Sequence, residues 1–196
     1  MSKRRIKKDG AARPIDLRSF KRGESIHASG DHGQAWRVVS GAVRLDAWGP
    51  DGPMFASLAL PGDVVGAEAL VGGHYAFGAR ALTPSVLTPW KVPRTSLLGL
   101  FASMQRRAAD VLALRGGRAA DRVAGLLRLL EGSGASATGN HIEMPRLRDV
   151  ADITDLTIET VSRVTVLPHR AAGLPGRPRQ AHLPRLTPSL ATGAAG

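Results

Sequence analysis

The sequence predicts an α+β protein, with short antiparallel strands in the first half and helices in the second. Three observations predict it. Residues 15–100 carry short apolar and β-branched runs punctuated by Gly, Asp and Pro. From Leu97 to Glu131 there is no proline, and Ala, Leu and Arg dominate. A compact helical segment then runs from Pro145 to about Leu167.

The strand runs include Trp36-Arg37-Val38-Val39, Ala42-Val43-Arg44-Leu45 and Phe55-Ala56-Ser57-Leu58-Ala59-Leu60. Between them stand Arg22-Gly23, Ser29-Gly30-Asp31, Ser40-Gly41, Gly49-Pro50-Asp51-Gly52 and Pro61-Gly62-Asp63. Punctuation at about ten-residue spacing signals an antiparallel sandwich, barrel or roll. Trp36, Trp48, Phe77 and Trp90 are expected in its core, with a small apolar pocket as the other possibility.

In the next segment Met104, Ala108, Val111, Leu112 and Arg115, then Val123, Leu126, Leu127 and Leu130, recur at three- and four-residue steps, as one face of a helix does. Gly116-Gly117 interrupts this face at about 1 kcal/mol per glycine, which predicts a joint between two helices. Gly132-Ser133-Gly134-Ala135-Ser136 reads as a loop.

Asp149–Arg163 carries the most information. Val150, Ala151 and Ile153 supply the buried face of a short helix, and Thr154-Asp155 makes a turn that Leu156 bridges. Thr157 is suited to cap a second helix, its hydroxyl accepting an orphan N–H. Ile158 and Val161 keep the inner i, i+3 spacing, leaving Glu159, Thr160 and Arg163 outward with Ser162 beside them. In a major groove Glu accepts from cytosine N4, Arg bonds guanine O6 and N7, and Ser or Thr serves bases or phosphates. By spacing alone, Glu159 and Arg163 read more readily as an ordinary i, i+4 salt bridge on a solvated helix.

Asp-Val-Ala-Asp-Ile-Thr-Asp-Leu-Thr-Ile-Glu-Thr-Val-Ser-Arg resembles the helix-turn-helix of the Crp/Fnr superfamily. Its Glu159-x-x-Ser162-Arg163 element is similar to that of the Fnr and FixK branches. One departure is Asp155, where the family has a turn glycine; Asp tolerates the left-handed conformation. Phe20–Asp31, Trp36–Leu45 and Leu60–Gly66 are similar to the glycine-punctuated β-roll of the same superfamily, so the resemblance spans about Ile15 to Arg163. It implies an N-terminal β-roll like a cyclic-nucleotide-binding domain, a long dimerisation helix and a C-terminal helix-turn-helix. It also implies double-stranded DNA as partner, read as a homodimer at TTGAT-like half-sites through Glu159, Ser162 and Arg163, with Thr157 and Thr160 alongside, and RNA polymerase as a further partner. Without the resemblance, the apolar stripe around Met104–Arg115 would equally pack on the roll.

The expected organisation is a basic N-terminus at 1–14, a roll at 15–96, a dimerisation helix and hinge at 97–131, an incomplete helix-turn-helix domain at 132–167 and a tail at 168–196. The effector pocket is expected at Gly66, Ala67, Glu68, Tyr75, Ala76 and Arg80. Cyclic-nucleotide-binding members place a Glu on the ribose and an Arg-Ser pair on the phosphate; Ala67, Tyr75 and Ala76 stand there, and Glu68 falls one position late, on the other face of a strand. A buried phosphate without a partner is prohibitively costly, so tight cyclic-nucleotide binding is not expected.

Composition narrows the rest. There is no cysteine, which removes disulfides, thiolate metal sites and iron–sulfur clusters. The six His are scattered without metal-ligand spacing, and no cofactor or metal is expected. No nucleophile–base–acid set, phosphate loop or carboxylate pair is present, so an enzyme is not expected; a cupin-like roll enzyme would need a His/Glu metal cluster. No run reaches the roughly 18–20 apolar residues of a membrane span, and no apolar stretch follows the basic N-terminus as a secretory signal requires, which predicts a cytoplasmic protein.

The formal charge is +11, with five Lys/Arg against one Asp in residues 1–10 and five Arg without an acid in 163–196. The stretch 11–162 balances 17 bases against 15 acids. The basic ends are either phosphate-attracting or simply solvated. Thr165–Gly196 holds five Pro, six Ala, four Gly, five Leu and four Arg and has neither helical nor strand period, so disorder is expected. Pro168 ends the second helix early, and no alternating pattern for the family's wing follows. The abrupt switch resembles out-of-frame translation of a GC-rich gene; a natural extension is the alternative. A module with impaired DNA binding is therefore the second functional expectation.

Overall fold

The computed structural model describes residues 16–91, 97–133 and 143–166. The expected basic N-terminus, the tail and the stretch in which no wing is expected lie outside the described residues.

Eight strands precede the helical half: β1 (Arg18–Phe20), β2 (Ser25–His27), β3 (Trp36–Ser40), β4 (Val43–Gly49), β5 (Gly52–Ala59), β6 (Val64–Val65), β7 (Gly78–Ala81) and β8 (Ser85–Pro89). They form two four-stranded sheets, ordered β1-β8-β3-β6 and β2-β7-β4-β5, with antiparallel pairing throughout. The turn glycines Gly23, Gly30, Gly41, Gly52 and Gly62 all have positive φ, as the punctuation predicts. Gly41 is needed on a second count, because a Cβ there would lie 2.3 Å from the Pro84 carbonyl. A short helix α1 (Ala69–Gly72) interrupts the strands between β6 and β7.

Period-two alternation gives each sheet two faces. Trp36, Val38, Val43, Ala59, Val65, Ala79 and Leu87 meet between the sheets as one apolar core. Trp36 and Trp90 are buried as expected. Trp48 and Phe77 are not: Trp48 is 76% exposed, near the end of the β4–β5 hairpin, whereas Phe77 lines a cavity, the other possibility that the sequence leaves open.

The helical half comprises α2 (Leu97–Ala113), α3 (Ala119–Glu131), α4 (Leu147–Thr154) and α5 (Ile158–Val166). The glycine pair falls between α2 and α3, with Gly117 at φ 82°, so the predicted joint is present. A second core joins this half to the outer face of the second sheet. Ala42, Leu58, Leu60 and Leu82 pack there with Leu114, Val123, Leu126 and Leu130, and with Val150, Ala151, Ile153 and Val161 of α4 and α5. At roughly 25 cal/mol per Å² of apolar surface removed from water, this shared cluster is what seats the two short helices. In contrast, α2 has no buried residue, and Leu97, Phe101 and Met104 remain exposed.

Candidate functional site

The pair α4–α5 is built as the sequence suggests. Val150, Ala151 and Ile153 are buried, and the Thr154 hydroxyl donates back to the Val150 carbonyl at 2.6 Å. Asp155 adopts φ 54°, ψ 52°, and the Leu156 N–H returns to the Ala151 carbonyl at 3.0 Å. This is the left-handed corner that glycine makes most cheaply and Asp tolerates. Thr157 Oγ1 then accepts the Thr160 N–H at 3.2 Å, capping α5. Val161 is fully buried and Leu156 half-buried. Ile158 departs from expectation at 47% exposed: it opens the helix at its solvent end, one turn before the core contact made by Val161.

On α5, Glu159 and Arg163 are exposed, and Thr160 and Ser162 are half-buried. Among the ion pairs of the described residues, none joins Glu159 to Arg163. The carboxyl of Glu159 is held below its usual range by hydrogen bonds from its own N–H and the Thr157 hydroxyl, with Arg163 adding to the effect. Glu159 therefore stays an ionised acceptor at neutral pH, and Arg163 offers five donors. Such a face can pair with base edges or phosphates.

The roll presents a cavity of about 740 Å³ against α2. Leu45, Val65, Gly66, Ala67 and Glu68 line it from the roll, and Met104, Arg107 and Val111 from α2. Half of the expected pocket is thus assembled: Gly66, Ala67 and Glu68 line it, whereas Tyr75, Ala76 and Arg80 do not. Glu68 is not on a strand, as the spacing suggests, but precedes α1 in helical conformation. Tyr75 is buried instead behind Gly66, where an added Cβ would come within 2.5 Å of its ring. Its ring stacks on His27 at 3.6 Å, and its hydroxyl donates to the Gln34 carbonyl at 2.7 Å. Burial raises the Tyr75 pKa and lowers that of His27, the latter opposed by Glu68 and Asp31. Ala76 is exposed, its carbonyl accepting from the Ser29 hydroxyl at 3.1 Å.

Arg107 is the one cation among the residues lining the cavity, and its side chain is 12% exposed. Two carboxylates hold it: Nη2 lies 2.8 Å from Asp63 Oδ2, and Nη1 donates to Asp110 Oδ2 at 2.6 Å. Arg80 faces away, toward α4, and bonds Asp46 and Asp149. Burial works against its charge, but the two carboxylates outweigh that and raise its pKa. Arg44 and its carboxylate partners were missed by sequence reasoning. Their signal, two charges alternating with Val43 and Leu45, acquires meaning only once the neighbouring strands and α4 are placed.

Residues 17–116 match the family model of the cyclic nucleotide-binding domain. The nitrogen fixation regulation protein FixK of Rhizobium meliloti is 35% identical over 161 residues, covering 77% of this chain and 74% of the relative. The transcriptional regulator LdrP of Thermus thermophilus is 30% identical over 160 residues, covering 76% and 82%. Among solved structures, a CRP-family transcriptional regulator from Thermus thermophilus superposes with a TM-score of 0.62 at 26% identity, covering 78% of this chain and 84% of that one. FixK2 from Bradyrhizobium japonicum gives 0.58 at 29% identity, covering 79% and 84%. A domain match over half of the chain and a FixK relative aligned over three quarters of it agree with the observed roll and helices, and the chain belongs to the Crp/Fnr family of transcription regulators.

Proposed function

We propose that the protein is a dimeric, sequence-specific DNA-binding transcription regulator. In this reading α4 and α5 are a helix-turn-helix within 132–167, and α5 enters the major groove of TTGAT-like half-sites. Glu159, Ser162 and Arg163 read base edges while Thr157 and Thr160 hold the helix start and the backbone. The observation that carries the reading is the outer face of α5, where a capped helix offers Glu159 and Arg163 without an ion pair between them.

Dimerisation is assigned to the segment 97–131. Leu97, Phe101, Met104 and Ala108 recur on α2 at alternating steps of four and three and are exposed, the spacing of a two-helix seam. A two-fold dimer would present two copies of α5 to a palindrome. RNA polymerase is the further partner, and the cytoplasm the compartment; among the described residues no helix is long and apolar enough to cross a membrane. The roll at 15–96 is not a cyclic-nucleotide receptor in this reading. The one lining cation is already paired, and the Glu68 carboxylate would repel a phosphate.

A mobility-shift assay on a TTGAT-N4-ATCAA duplex, comparing the wild type with Arg163→Ala, tests the proposal. Specific binding that Arg163→Ala weakens by about 1–3 kcal/mol supports it. Absence of binding by the wild type would favour a sensor and dimerisation module with impaired DNA binding.

A further inference from the structure

The roll and α4 are joined by charge as well as by apolar packing. Arg44 on β4 and Arg80 on β7 stand opposite each other in register, a like-charge pair that repels unless acids intervene. Asp46 intervenes from the roll, accepting from Arg44 Nε at 2.6 Å and from Arg80 Nε at 3.4 Å. Asp149 intervenes from the first turn of α4: its Oδ1 accepts from Arg44 Nη1 at 3.2 Å and from Arg80 Nη2. Asp152, one turn on, accepts from Arg44 Nη1 at 3.0 Å. The side chains of Arg44 and Asp149 are only 3% and 6% exposed, so this charge is withdrawn from water.

The far end of α4 is held as well. Arg115 donates to the carbonyls of Ile153 and Asp152 at 3.5 and 3.4 Å, and Arg122 to those of Thr154 and Asp155 at 3.2 and 3.4 Å. Phe55 lies under both Arg44 and Arg115, 5.5 and 5.2 Å from their guanidinium carbons. α4 is thus fixed by the roll at its start and by the α2–α3 segment at its end. α5 follows after a tight corner and shares the core through Val161, so the angle of α4 sets the angle of α5.

Apolar packing is non-directional and would tolerate rotation of α4 on the sheet. Two guanidinium groups that meet on one carboxylate oxygen, each held from behind by Asp46 through its Nε, would resist it, because each planar group fixes the direction of its donors. Buried ion pairs add little net stability compared with apolar replacements; their best-attested use is registry. We propose that Arg44 and Arg80 are positioning residues which, through Asp149, fix the orientation of α5 for DNA reading. This rests on the DNA-reading function above. The roll then serves as the docking base of the reader helix.

The test uses the full chain in two readouts. The first is amide hydrogen exchange without DNA in the wild type, Asp149→Asn, Arg80→Gln, the double variant and Asp149→Glu. The second is affinity for the TTGAT-N4-ATCAA duplex and for a scrambled one. Asp149→Asn should speed exchange in α4 and α5 at least tenfold with β3, β4 and β8 unchanged. It should also weaken specific binding at least tenfold while leaving scrambled-duplex binding intact. Arg80→Gln, at a partly exposed residue, should do the same more mildly; the double variant should be no worse than Asp149→Asn, and Asp149→Glu should recover part of both losses.

Unchanged exchange in α4 and α5, exchange that rises equally in the roll, or additive effects of the two substitutions would overturn the proposal. So would faster α4–α5 exchange with no loss of specific affinity. If the wild type itself fails to discriminate the duplexes, the DNA-reading function falls, and the exchange readout alone still decides whether Arg44, Arg80 and Asp149 hold α4 in place.

Discussion

Arg107 beside the roll cavity and Arg163 on α5 put the same side chain to opposite uses. Arg107 is held by Asp63 and Asp110, so an anion entering the cavity would have to displace a carboxylate at close range. Arg163 is exposed and belongs to no ion pair among the described residues, so no carboxylate in direct contact would have to be displaced there. The difference teaches that the availability of a cation, not its presence, marks an anion-binding face. The formal charge of +11 does not single out Arg107, since residues 11–162 are almost neutral, whereas Arg163 opens a stretch with five Arg and no acid.

The sharpest way to break the contrast is to loosen the support of α5 without touching the cavity. Ile153 is fully buried in the core shared by α4, α5 and the sheet, so Ile153→Ala should cost about 2–5 kcal/mol. Chemical denaturation measures this, and a cost under about 1 kcal/mol would mean the cluster does not seat the helices. On the exposed face, Glu159→Ala should relax base preference at one position of each half-site by about 1–3 kcal/mol, read by binding to a panel of single-base variants. Equal losses on every duplex would instead assign Glu159 no base contact. Thr157→Ala removes the cap of α5 and should cost about 1 kcal/mol in a thermal melt, with Thr157→Ser restoring most of it.

Two smaller effects belong to the roll. Burial lowers the pKa of His27 below its ordinary 6.5, so on acidification through that value the unfolded chain takes up the proton first. Stability contributed by His27 is therefore intact above about pH 6.5 and falls as pH drops toward the folded value. Melts from pH 7.5 to 5.5 should show a steeper decline in the wild type than in His27→Phe, and parallel curves would remove His27 from the account. Cyclic AMP at 100 µM should leave the melting temperature unmoved. A site with a Kd of 1 µM would raise stability by about 2.7 kcal/mol under the same conditions.

What could be read in advance was whatever depends on neighbours in sequence. Turn glycines, the joint at Gly116-Gly117, the cap at Thr157 and the corner at Asp155 are decided within a few residues, and each stands where the pattern put it. Trp48 and Ile158 were misplaced for a common reason: an apolar side chain is buried only if an element lies above it, and the pattern does not say which strand or helix end runs past its neighbours. The pocket was half legible, because Gly66, Ala67 and Glu68 are contiguous while the opposite wall comes from α2. The charge cluster between the roll and α4 was not legible at all, since Arg44, Arg80 and Asp149 are brought together by sheet register and by the seat of α4.

The central claim is that the exposed face of α5 reads sequence. Its most direct test is the ratio of affinities, at one salt concentration, for a duplex carrying two TTGAT-like half-sites and for the same duplex with both scrambled. The account predicts a preference on the order of a thousandfold for the intact sites. Equal affinities that fall together as salt is raised would reduce the interaction to phosphate attraction and contradict it.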